Sequence, residues 1–308
     1  MRSPEAFVRK MPYSRQSGAV QPDSSDTSKP IKEAQSDEEA ERVFHGVTYP
    51  PRDFAQPICL PAKRLAYCVK KLRHSAVEMT NDVQNFFIKP MPHREQLPQS
   101  LETAYIACTL YSSTTENNAH IVRGIVMDTY LNLVCDKDDV DLEAELAKIQ
   151  ATLLLHILLL SDGDIQYRSL ADRNVDHLRD IILRLQRRDA TEMLDHIKAS
   201  TYARWLFLEN IRRTILTSTF VECIYMNLRD GICMTVPFLS MLPITVEAAL
   251  WAAKSERDWK KATHIDPPNV LPYGEALARW EKDATQGNLD TLQHLLYVAC
   301  KGFSGVPT

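Results

Sequence analysis

The sequence predicts an all-α protein, a single large helical domain of about ten helices behind a disordered N-terminal tail. Three observations predict it. None of the 17 prolines falls between Pro98 and Pro237, and the only glycines in that interval are Gly124, Gly163 and Gly231, so a long stretch is nearly free of helix breakers. Glycine supplies only 9 of 308 residues, well under the usual ~7%, which argues against dinucleotide folds, phosphate loops and β-sandwiches that need glycine at special backbone angles. Apolar residues recur at alternating spacings of four and three in two long segments, the period of one helix face.

Residues 1–42 carry seven Lys/Arg, eight Asp/Glu and few large apolar side chains, too little to offset the entropy of ordering, so a disordered tail is expected. Residues 43–84 form the next division. They open with a proline-punctuated extended stretch and continue into a short basic helix, Ala62 to His74, where Lys63, Arg64, Lys70, Lys71 and Arg73 stand without an acid. These five residues are the candidate nucleic-acid or nuclear-import patch; a solvated helix face is the plainer reading of the same charges.

The third division, 85–303, is the helical body. Ser100 is the expected cap of a helix through Tyr111, and Asn118 of one through Val134. Acids crowd the start of the next helix, as its N-terminal dipole favours. There Leu142, Leu146, Ile149, Leu153, His156 and Leu160 make one buried stripe. The turn at Ser161 to Asp164 breaks it, and further helices are expected from Ile165 to about Arg187 and near Thr191 to Ile197. From Tyr202 to Leu228, Phe207, Ile211, Thr214, Ser218, Val221 and Tyr225 repeat the spacing. Glu209, Arg212 and Arg213 share another face, read as solvated or as an interface. Thr245 and Ser255 are expected caps of two short helices, and a last pair covers about 274–285 and 289–301. No convincing strand is expected.

Searches for chemistry return little. HExxH, GxSxG, GxGxxG and the GKS/GKT loop are all missing, so no catalytic residue is assigned and the chain is not expected to be an enzyme. The acids Asp136, Asp138, Asp139 and Asp141 do not make a calcium loop, because Val140 and Asp141 occupy places that require an oxygen ligand and a glycine. Asp162 and Asp164 read as turn and cap groups, Glu192 and His196 as an unsupported i, i+4 pair, and His156 as a core histidine. No metal and no cofactor is expected. The seven cysteines are too widely spaced for a paired-thiolate zinc knuckle and read as reduced, mostly buried thiols. The net charge of -4 gives no bulk attraction to nucleic acid, and no apolar run is long enough to suggest a membrane span.

Four segments in order carry a family resemblance: FFIKPMPHREQLPQSLETAYIACTLYSS (Phe86 to Ser113), LLLSDGDIQYRSLAD (Leu158 to Asp172), ENIRRTILTSTFVECIY (Glu209 to Tyr225) and LPITVEAALWAAKSERDW (Leu242 to Trp259). With Arg212, Arg213 and Thr214, then Leu242 and Pro243, then Leu250 and Trp251, then Ser255 and Trp259, the chain resembles the regulatory domain of fungal zinc-cluster transcription factors over about 85–300. The resemblance implies a helical fold, nuclear localisation and control of transcription, often of metabolic or secondary-metabolite genes. The family's DNA-binding module holds two zinc ions with six cysteines, whereas only Cys59 and Cys68 stand ahead of residue 85 here. Specific DNA binding is therefore not expected of these residues, and the partners implied are the transcription machinery or a related DNA-binding factor, with homo- or heterodimerisation open. Two other readings stay open: an all-helical enzyme or accessory protein of a biosynthetic pathway, and a cytoplasmic interaction scaffold. Trp251 and Trp259 are expected to be core anchors.

Overall fold

The structure is a computed structural model and describes residues 54, 56–135, 141–187, 200–265, 267–283 and 288–303. Among the described residues are eleven helices and one small hairpin of strands. The helices are α1 (Ala62–Asp82), α2 (Gln99–Ser112), α3 (Ala119–Cys135), α4 (Leu142–Ser161), α5 (Ile165–Gln186), α6 (Thr201–Asp230), α7 (Val236–Met241), α8 (Ala248–Ala252), α9 (Glu256–Ile265), α10 (Tyr273–Asp283) and α11 (Thr291–Lys301). Strands β1 (Pro243–Thr245) and β2 (Val270–Pro272) pair antiparallel, Ile244 opposite Leu271. This pairing departs from the strand-free expectation, and three-residue strands are too short to leave a period-two signal. The expected tail, the acids Asp136 to Asp139, and the pair Glu192 and His196 lie outside the described residues.

Two helices organise the core. α4 touches α1, α2, α3, α5 and α6; against the expectation from unbroken apolar runs, the whole helix is long and apolar enough to cross a membrane by length and composition, yet nearly all of it is buried inside the protein. Its start is fixed by Asp141, whose side chain accepts from the Ala144 N–H, with Glu143 and Glu145 in the first turn facing the positive end of the dipole. α6 is longer, 30 residues or about 45 Å, and is buried without a break from Trp205 to Val221. Ser200 caps it through the Ala203 N–H, and Gly231, at φ 75°, ends it by donating to the Asn227 carbonyl. A helix surrounded on all sides must also bury its polar positions, and the rest of the structure supplies their partners.

Around this pair the expected punctuation operates with some exceptions. Asp164 caps α5 by accepting from Gln166 N–H and Tyr167 N–H, and Asp290 with Gln293 forms a full capping box at α11. α2 begins at Gln99 behind Pro98, without a side-chain cap from Ser100. Thr245 does not cap α8. It lies in β1 and its hydroxyl donates to buried Glu209 at 2.6 Å, a tertiary partner that a cap expectation built on neighbours in sequence cannot foresee. α1 runs eight residues beyond His74 to Asp82 and packs on α2, α4, α6 and α11, with Cys68, Leu72, Ala76 and Met79 buried.

A second, smaller apolar cluster joins the start of α6 to α8 and α9. Tyr202, Trp205, Leu250 and Trp259 are its centre, with ring centroids 5.6 Å apart between Trp205 and Trp259. Trp259 is the core anchor expected of it. Trp251 is not: it is half-buried at the edge of this cluster, because its ring is turned onto a guanidinium.

Candidate functional site

After Val83 ends α1, residues Phe86 to Ile88 pass through the interior without helical hydrogen bonds of their own. Their backbone groups therefore need partners. Asn85 Oδ1 accepts from the Phe87 and Ile88 N–H groups at 3.0 and 2.9 Å. Gln150 Nε2 of α4 donates to the Phe87 carbonyl at 3.3 Å, Asn210 Oδ1 of α6 accepts from Lys89 N–H at 2.9 Å, and Arg213 donates to the Phe86 carbonyl at 3.0 Å. Side chains from the two central helices thus satisfy an extended segment laid between them.

Arg213 is the hub of this arrangement. Its Nε donates to Glu209 Oε1 at 2.8 Å and its NH2 to Asp290 Oδ2 at 2.5 Å, while the Trp251 ring lies 4.1 Å from its guanidinium carbon. Arg212 NH1 stands 3.5 Å from Glu209 Oε2. Burial pushes the Glu209 carboxyl up, but the charges of Arg213 and Arg212 and the hydrogen bonds from Thr245 and Arg213 outweigh it and hold the group below the usual carboxylate range. Burial likewise opposes the charge on Arg213, and Asp290 and Glu209 more than compensate.

The exposed or interface face expected for Arg212 and Arg213 is therefore corrected. Both are buried, at 2% and 1% exposure, because Glu209 lies on the same helix face and β1, α8 and α11 close over it. The i, i+3 and i, i+4 pairing was visible in sequence, but spacing alone does not say whether a charged face meets water or another element. No sequence motif marks Lys89 or Asp290. Lys89 Nζ donates to the Trp251 and Ala253 carbonyls at 2.6 and 2.5 Å, holding α8 down, and burial followed by the nearby charge of Arg213 lowers its ammonium to about 8.

The candidate basic patch sits on α1 and is smaller than its five charges suggest. Lys63, Lys70 and Arg73 are exposed; Arg64 and Lys71 are half-buried. Arg64 donates to the Cys300 carbonyl at 2.9 Å and packs against Gly302, where any Cβ would fall about 3.0 Å from its guanidinium. Lys63 lies over Phe303, and Arg73 bonds both Tyr111 and Asp162. α9 presents a second basic face, with Arg257, Lys260, Lys261 and His264 exposed, which the interleaved Glu256 and Asp258 concealed in sequence.

Other candidates resolve structurally. Asp162 accepts from Tyr111, Arg73 and the Asp164 N–H, and Asp164 pairs with Arg123 while capping α5. His156 Nδ1 meets the Tyr130 hydroxyl at 2.8 Å, and complete burial lowers the imidazole to about 4. Burial pushes the Cys108 thiol up to about 12, so it has no nucleophilic character at neutral pH. A cleft of about 170 Å³ opens beside Pro90, Leu101 and Phe207, and two pairs of its polar lining are committed to one another, Arg94 to Glu143 at 2.7 Å and Gln150 to Asn210 at 3.1 Å. Among the described residues no group of three or more His, Cys, Asp or Glu side chains is placed to hold a metal ion.

Fold and site together define an all-helical module in which residues of the family-like segments tie the core. In sequence, the chain is similar to transcription factor gsfR2 of Penicillium aethiopicum, 27% identical over 259 residues that cover 78% of this chain. The chain spans 60% of that relative's length. No family model matches, and no solved structure matches.

Proposed function

We propose that this chain is the regulatory part of a fungal transcription regulator, acting in the nucleus on metabolic or secondary-metabolite genes through a partner protein. The observation that carries the proposal is the similarity to a transcription factor across 78% of the chain. Its support in the fold is that Arg213, Thr214, Thr245 and Trp251, from two of the four family-like segments, meet in or beside one buried network. The partner is the transcription machinery or a related DNA-binding factor, and the exposed basic faces of α1 and α9 are where an acidic protein surface would dock. The unit spans residues 85–303 together with α1, which is packed into the same core. No catalytic role is assigned.

The test is to fuse the full chain to a heterologous DNA-binding module in a fungal cell and measure a reporter bearing that module's site. A reporter change that requires the chain, together with nuclear accumulation of the unfused protein, is the expected result. An unchanged reporter with the protein held in the cytoplasm would overturn the proposal and favour the scaffold reading.

A further inference from the structure

Beneath residues 58–61, the end of α6 and the start of α7 enclose, with α10 and α11, a cavity of about 70 Å³. Cys223 and Cys233 both line it. Cys223 belongs to the last turns of α6, and Cys233 follows Gly231, whose left-handed backbone turns the chain back. The Thr235 hydroxyl lies 3.1 Å from the Cys223 sulfur and 3.3 Å from the Cys233 sulfur, so the two thiols flank one hydroxyl. Cys233 is further held by a backbone bridge, its N–H donating to Ile58 at 2.9 Å and its carbonyl accepting at 3.1 Å.

This surrounding favours charge on one sulfur of the pair. The Thr235 hydroxyl is shared by the two sulfurs. The neighbouring Cys223 thiol and Thr235 outweigh burial and the adverse charge of Glu222 and lower the Cys233 thiol below its ordinary range. The nearby Cys233 sulfur, then burial, pushes Cys223 up. Arg64, Tyr273 and Cys300 are the other ionisable groups lining the cavity with Cys59. Acidity alone adds little speed, since a less basic thiolate is also a weaker nucleophile. The placement of a second thiol against the same hydroxyl decides the product.

We propose that Cys223 and Cys233 form a dithiol site that a hydroperoxide oxidises to an intramolecular disulfide. The Cys233 thiolate attacks one oxygen of hydrogen peroxide, the O–O bond breaks, and the departing hydroxide takes a proton from solvent to leave as water. Cys233 becomes a sulfenic acid. The Cys223 sulfur then attacks it, the S–O bond breaks, and the hydroxyl leaves with the Cys223 proton as a second water. Two thiols lose two electrons and two protons, and one peroxide becomes two waters. Hydrogen peroxide is close in size to water, which needs about 10–15 Å³, so the cavity admits it. The disulfide would join the end of α6 to the turn that carries the Ile58 bridge.

The test uses the full reduced chain, treated with equimolar hydrogen peroxide at neutral pH, alkylated and mapped by peptide mass spectrometry. The expected product is a Cys223–Cys233 bridge with loss of two hydrogens, formed without any substitution. In Cys223→Ser, a dimedone adduct should appear at Cys233, and in Cys233→Ser, oxidation of Cys223 should fall about tenfold because burial keeps its thiol protonated. Recovery of both thiols reduced while exposed Cys59 or Cys135 is oxidised would overturn the proposal, and so would a bridge from either residue to another cysteine.

Discussion

The guanidinium of Arg213 lies 4.1 Å from the Trp251 ring and, on its edge, 2.5 Å from the Asp290 carboxylate. A charge buried to 1% exposure thus joins α6, α8 and the cap of α11. Such a charge would be costly alone, and here two carboxylates, the Phe86 carbonyl and an aromatic face compensate it against the nearby cation Lys89.

Removing the hub should therefore be severe. Arg213→Ala leaves Glu209 and Asp290 facing a void and is expected to cost about 3–5 kcal/mol in urea unfolding. Arg213→Lys should recover only part of it, because an ammonium cannot present the same planar fork. Wild-type stability in the Lys variant would contradict this account.

Trp251 should behave as a lid on that charge. Since it is half-buried, Trp251→Ala is expected to cost about 1–2 kcal/mol, less than a fully buried tryptophan, and most of that cost should vanish in an Arg213→Ala background. Trp259→Ala, in the aromatic cluster, should cost about 3–5 kcal/mol. Equal losses at the two tryptophans would show that Trp251 is core after all.

Stability should fall with acid below pH 6.5, and His156 should be the first cause. Its folded value near 4 lies below the ordinary 6.5 of an unfolded chain, so between those values the unfolded state binds the proton that the folded state refuses. The contribution is complete above pH 6.5, shrinks as pH drops through the window and reaches about 3 kcal/mol of loss near pH 4. Glu209 adds a later loss, as pH falls from its unfolded value through its lowered folded one. Unfolding at pH 7 and pH 5 should differ less in His156→Gln than in the wild type; an unchanged difference would locate the proton elsewhere.

Duplex DNA should be held weakly and without sequence preference. With Lys63, Lys70 and Arg73 as the exposed charges of α1, this helix should contribute about -3 to the slope of log affinity on log salt, against about -5 had all five been available. Charge reversal at Lys63 and Lys70 should make the slope shallower by about two, leaving the basic face of α9. Selective retention of one short sequence in excess random duplex, or a slope unchanged by the reversal, would contradict the expectation.

The sequence alone determined the helices. Spacing of apolar residues, the distribution of proline and the cap Asp164 are local properties, acting within about four residues, so α4, α5 and α6 were legible to within a turn. It also marked the segments that matter, because Arg212, Arg213 and Trp251 resemble a known pattern. Only the tertiary structure decided what those residues do. Arg213 reads as a surface charge until Phe86, Trp251 and Asp290 arrive from the two ends of the chain to cover it. Thr245 reads as a cap until Glu209 accepts its proton. The basic run of α1 reads as a patch until the last turn of α11 takes Arg64 out of it. Periodicity reports which face of a helix is apolar, whereas the pairing of a polar group depends on what long-range packing places against it, and burial of charge is set by that placement.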